Sequence, residues 1–129
     1  MLRTGILNPQ LNSLLSRVRH TNTLLIADRG FPYWPTIETV DLALIDNIPR
    51  VLDVLGAIRM NFTIGRITMA EEFRQHNSPA VVRQFAEAMS GIDLHFEPHN
   101  HFKKQVPLVI GLIRTGDTIQ YANMILESS

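Results

Sequence analysis

His20-Thr21-Asn22-Thr23-Leu24-Leu25-Ile26-Ala27-Asp28 is the stretch that decides the fold. Thr23 to Ala27 is a continuous apolar run stopped by Asp28 and followed by Gly30, Pro32 and Pro35, so it reads as a buried strand entering a loop. Asp28 therefore falls at a strand's carboxyl end, where α/β folds build small-molecule sites. His20 reads as the close of the preceding amphipathic helix. The spacing predicts an imidazole and a carboxylate on one rim of a sheet, a pairing suited to proton transfer.

Working outward, Asn8 is a good N-cap and Pro9 suits a first helical position. Leu11, Leu14, Leu15 and Val18 then recur at helical spacing. Beyond the first strand, Val40 to Ile45 reads as a second strand, and Pro49 opens a helix striped with Val51, Val54, Leu55 and Ile58. Phe62 to Met69 predicts a third strand leading into Glu71-Glu72. Ser78-Pro79 caps another helix, with Val82, Phe85, Ala86 and Met89 facing inward. Ile92 to Glu97 is a short strand, His99 to Gln105 a polar turn, and Leu108 to Arg114 and Ile119 to Leu126 a final antiparallel pair around Thr115-Gly116-Asp117. Alternating strands and helices predict a layered α/β/α fold with a mixed sheet, one domain over residues 1–129.

Composition narrows the function. With 129 residues, 45% of them hydrophobic, the chain can bury one real core. Twelve Lys and Arg balance twelve Asp and Glu, leaving no field to draw nucleic acid or an anionic membrane. The absence of cysteine excludes disulfides, a thiolate nucleophile and cysteine metal sites. No stretch approaches the roughly 20 apolar residues of a membrane span, and the amino end lacks a secretory signal, so a soluble cytoplasmic protein is expected.

Three groups of residues could carry chemistry. At a helix carboxyl end His20 would be favoured as imidazolium, and Asp28 could fix its tautomer; the plain alternative is that one caps carbonyls and the other begins a turn. His99 and Lys103 would share a face if their segment forms a helical turn, offering a proton shuttle beside a fixed cation. Together with His95, His99 and His101 also have a spacing at which histidines can bind a metal, although a solvated turn accounts for them as well. Tyr121 and Asn123 would project from one face of the last strand as a hydroxyl and an amide, a pair that suits the hydroxyls of a sugar or polyol. No phosphate-binding glycine loop, Gly-x-Ser-x-Gly elbow or zinc-protease motif occurs.

Gly5-Ile6-Leu7-Asn8, Arg19 to Thr23, Ala27 to Pro32, Ala70-Glu71-Glu72, His99 with Phe102-Lys103, and Ile113 to Gly116 through Tyr121-Ala122-Asn123 together resemble the D-ribose pyranase and L-fucose mutarotase family, its ribose branch more closely. The resemblance runs in register from about Thr4 to Leu126. It implies a cofactor-free isomerase that interconverts the cyclic forms of a free monosaccharide. His20 would be the catalytic acid/base, and Asp28, His99, Lys103, Tyr121 and Asn123 the sugar-binding set. It also implies a homo-oligomer, since family members form rings, often decamers, with the site near a subunit boundary. Two departures stand out. Arg29 replaces the small residue that usually follows the aspartate, where it could neutralise Asp28, abolish turnover or receive an acidic sugar. Phe31-Pro32-Tyr33-Trp34-Pro35 is unusually aromatic, so that Trp34 could stack on a sugar or enter a subunit contact.

Overall fold

In the computed structural model, which describes residues 1–129, the apolar run becomes β1 (Thr23–Ala27), the hub of a six-stranded mixed sheet. The other strands are β2 (Thr39–Asp41), β3 (Ile64–Ala70), β4 (Asp93–Glu97), β5 (Gly111–Arg114) and β6 (Met124–Ser128), in the spatial order β2-β5-β1-β6-β3-β4. β1 pairs in parallel with β5 and antiparallel with β6, while β3 pairs antiparallel with β6 and in parallel with β4. Five strands thus point one way and β6 alone runs against them. The carboxyl ends of β1 to β5 and the amino end of β6 consequently share one rim.

Alternation along β1 supplies both cores. Leu24 and Ile26 face a cluster built with α1 (Pro9–Ser16), α2 (Val51–Arg59), α3 (Glu72–His76) and α4 (Pro79–Ala88). Leu25 and Ala27 face a second cluster with Ile37, Phe102 and Val106, the last two from α5 (His99–Gln105) and the 3₁₀ turn that follows. The chain is therefore a three-layer α/β/α structure, as its patterning predicts. Deleting a side chain as enclosed as Leu25, which is fully buried, costs about 2–5 kcal/mol in comparable cores.

Several boundaries differ from expectation. The helix before β1 stops at Ser16, with Arg17 as its C-cap, so His20 does not close it. His20 instead stands in an exposed turn in which Thr21 adopts φ 67°. The second strand shrinks to three residues, because the chain leaves the sheet at Leu42 and turns through Ile45 and Ile48. The last two strands are not a hairpin: β1 lies between them. Hydrophobic patterning sees alternation within a strand and is blind to which strand intervenes. His99 to Gln105 is a helix, and so is α3, which at five residues is too short for a period to show in the sequence.

Two glycines answer to different constraints. A Cβ on Gly116 would stand 2.2 Å from the Ile45 carbonyl oxygen, because the turn at Ile45–Ile48 lies against it and the Gly116 amide donates to the Pro49 carbonyl at 2.9 Å. Gly56, inside α2, has open space around it. Gly116→Ala should therefore lower the unfolding free energy by about 1–3 kcal/mol. Gly56→Ala should raise it by roughly 0.5–1 kcal/mol, with urea midpoints reporting both.

Candidate active site

Asp28 is fixed by backbone bonds on either side of it. The Ala27 carbonyl accepts from the Thr115 amide at 2.9 Å and from its hydroxyl at 2.8 Å. The Asp28 amide donates to Asn123 Oδ1 at 2.8 Å, and the Arg29 amide to the Asp117 carbonyl at 3.1 Å. The two peptide groups that flank Asp28 are thus tied to the segment leading into β6. Its carboxylate accepts from the Gly30 amide at 3.0 Å. Burial pushes the Asp28 carboxyl above the ordinary aspartate range, and the nearby Asp117 adds to the rise, while the bonds from Gly30, Asn123 and Phe31 oppose it.

On this rim the structure brings Asp28, His99, Lys103, Tyr121 and Asn123 together around a cleft of about 400 Å³, with Gln120 beside them and Phe31-Pro32 as one wall. His99 and Lys103 lie one turn apart on α5, facing the same way. The His99 amide is held by both carboxylate oxygens of Glu72, each at 3.1 Å. Its ring stacks over Phe102, centroids 6.2 Å apart, and meets Tyr121 edge-on at 5.3 Å. Its Nδ1 is enclosed without a hydrogen-bond partner. Tyr121 and Asn123 precede β6 rather than lying on it, and Tyr121 has φ 56°, so strand alternation does not explain why they meet. The convergence comes from β6 running backwards, which delivers its leading residues to the rim where β1 ends.

His20 is not part of this cleft. It lies before β1 and Asp28 after it, so at least about 13 Å of extended strand separates them within one chain. The expectation that they share a rim fails because a strand carries its flanking residues to opposite edges of a sheet. His20 instead stands near the end of β6, where the Thr21 amide donates to the Ser128 carbonyl at 3.0 Å.

The neighbouring groups resolve other expectations. Arg29 turns away from the cleft and pairs with Asp46 at 2.8 Å, so it neither neutralises Asp28 nor offers itself to a ligand there. It lines a separate concavity of about 480 Å³ on the far side of Phe31-Pro32, whose second arginine, Arg114, is held by both oxygens of Asp41. That concavity is larger, but its charges are already neutralised. Trp34 packs against the second core under α5, away from the cleft. No three His, Cys, Asp or Glu side chains stand close enough to hold a metal, which removes the geometric basis for a centre at His95, His99 and His101. No helix is long and apolar enough to cross a membrane.

A profile of the RbsD / FucU transport protein family matches residues 1–129. The chain belongs to this family. It is 38% identical over 128 residues to the D-ribose pyranase of Geobacillus kaustophilus, covering 99% of this chain and 93% of that one. It is 36% identical over 132 residues to the D-ribose pyranase of Staphylococcus aureus, covering 100% and 98%. Among solved structures, Bacillus subtilis RbsD complexed with D-ribose superposes with a TM-score of 0.92 at 27% identity, covering 100% of this chain and 98% of that one. The fucose mutarotase of Streptococcus pneumoniae in complex with L-fucose shares the RbsD / FucU fold, with a TM-score of 0.80 at 16% identity over 95% and 92%. The α/β/α fold read from the sequence is that of the family.

The raised Asp28 carboxyl has a consequence for stability. A carboxyl whose folded value lies above its unfolded one stabilises the fold while protonated, in acid, and that contribution is lost as pH rises through the folded value. Asp28→Asn keeps an acceptor for the Gly30 amide and never ionises. It should therefore unfold at higher urea than the native chain at pH 7, with the difference shrinking towards about pH 4.

Proposed function

We propose that this protein is a cofactor-free isomerase that opens and recloses the ring of a free monosaccharide, D-ribose in the first instance. The convergence of Asp28, His99, Lys103, Tyr121 and Asn123 in one sugar-sized cleft carries this reading. Ring opening needs a proton delivered to the ring oxygen while another leaves the anomeric hydroxyl; the C–O bond breaks and a free aldehyde forms. Rotation and reclosure return both protons. Positioned acids and bases contribute about 10²- to 10⁴-fold to such steps. Tyr121, Asn123, Lys103 and His99 bind hydroxyls, and Asp28, whose carboxyl burial raises above the ordinary aspartate range, accepts or returns one of the protons.

His20 serves as the second acid/base, supplied to each cleft by a neighbouring copy of the chain. Its exposed position on the amino rim supports this assignment, since no Asp28 of its own chain is within reach. The working form is accordingly a cytoplasmic homo-oligomer, a ring in which one copy's turn at His20 meets the next copy's carboxyl rim. The alternative of a sugar-binding protein silenced by Arg29 loses its basis, because that side chain is paired with Asp46.

NMR saturation transfer between the ring forms of D-ribose tests both parts. The native protein should accelerate exchange, while His20→Ala and Asp28→Ala should each lose most of the acceleration. Unfolding the two variants together and refolding them as mixed oligomers should restore activity, since about a quarter of the shared sites would then combine two native residues. A silent mixture would reject the shared site, and a native protein without effect on any sugar would reject the isomerase.

A further inference from the structure

The two ends of α3 grip two different segments of the cleft. At its start, Glu72 holds the His99 amide at the head of α5. At its end, the His76 ring lies over the Tyr121 ring, centroids 5.4 Å apart with the planes 31° from one another. The next residue, Asn77, donates from Nδ2 to the Phe73 carbonyl at 2.8 Å and to the Gln120 carbonyl at 2.9 Å. Phe73, fully buried against Phe85, anchors the helix in the first core.

Tyr121 needs such support. Its φ of 56° lies in the left-handed region, which is unfavourable for a side chain of this size. Its ring is braced by His99 edge-on and by His76 across a tilted stack, and Asn77 restrains the preceding peptide. His76 itself is exposed and does not line the cleft, so it has no direct role in holding a ligand. Nor does a core contact explain why an imidazole stands there.

We propose that His76 is a positioning residue of the sugar site, which holds the Tyr121 ring so that its hydroxyl is presented to the sugar before the sugar arrives. The inference rests on the reading of the cleft as a monosaccharide site and adds to it a residue outside the cleft. Losing one aromatic neighbour should cost sugar binding roughly 3- to 10-fold, because Tyr121 must then be ordered by the ligand itself. Proton transfer at Asp28 should be little affected.

The test compares native protein with His76→Ala and His76→Phe, measuring D-ribose exchange by saturation transfer and the Tyr121 ring signals by NMR without sugar. His76→Ala should raise KM by roughly 3- to 10-fold while kcat stays within about 2-fold, and should shift and broaden the Tyr121 ring signals. His76→Phe, which keeps a ring but no nitrogens, should restore both. Loss of kcat at unchanged KM, unaltered Tyr121 signals, or failure of the phenylalanine to rescue would each overturn the proposal. If the native protein accelerates no sugar, the isomerase reading fails by itself. The Tyr121 signals and a D-ribose titration followed by NMR then decide the positioning role separately.

Discussion

A buried carboxylate with no cation beside it holds the carboxyl rim together. Asp117 is 1% exposed, yet its two oxygens accept from the Val51 amide, at the head of α2, and from the Ile119 amide, both at 2.9 Å. Its charge is met by backbone donors and by the positive end of a helix rather than by a counter-ion. Its own amide donates to the Thr115 hydroxyl, which in turn donates to the Ala27 carbonyl, and its carbonyl accepts from the Arg29 amide. Through one residue, α2, the end of β1 and the loop before β6 are referred to a common point. Removing its carboxylate would strand the Val51 and Ile119 amides at once, which is expensive in a way that losing one surface pair is not.

This junction explains the division of labour along the rim. The backbone is committed to structure, so the side chains are left for a ligand. Asn123 shows both uses: its Oδ1 is spent on the Asp28 amide, and its Nδ2 remains a donor. Arg114 works in the same spirit from the other side, donating from Nε and Nη2 to the Arg29 carbonyl while Nη1 meets Asp41. The loop carrying Asp28 is therefore clamped from β5, whose Arg114 is itself held by Asp41 of β2, and from the segment before β6, so Asp28 can sit in a poorly solvated place without the loop yielding.

Much of this was legible in the sequence, and the failures have identifiable causes. β1 is plain because its apolar run ends sharply at Asp28, and α1, α2 and α4 are plain because they are long enough to show a period. Asn8-Pro9 and Ser78-Pro79 mark the starts of α1 and α4, whereas α2 begins at Val51 with Arg50 as its N-cap, so Pro49 stands before the helix rather than opening it. The residues of the cleft could be named but not assembled, since strand order is a long-range property that alternation does not encode. Tyr121 and Asn123 were paired for the wrong reason: they meet Asp28 because β6 reverses. His20 misled because eight residues look close in sequence, whereas five of the intervening positions form an extended strand. His76 left no signal, for nothing in Glu72-Phe73-Arg74-Gln75-His76 marks a helix of so few residues.

The reversal of β6 also bears on how the chain reaches its fold. β6 is last in chain order and lies at the centre of the sheet, bonded to β1 on one side and β3 on the other. As the chain lengthens from its amino end, β3 and β4 can pair early, but β1 has no neighbour until residues 111–114 exist and β2-β5-β1 remains a separate half until 124–128 arrive. Each half meanwhile offers an open inner edge lined by apolar residues, the kind of edge that recruits other chains. Closure between such distant segments is slow, because loop entropy is lost before the contacts are gained. The strand that completes the sheet is thus also its gatekeeper against aggregation.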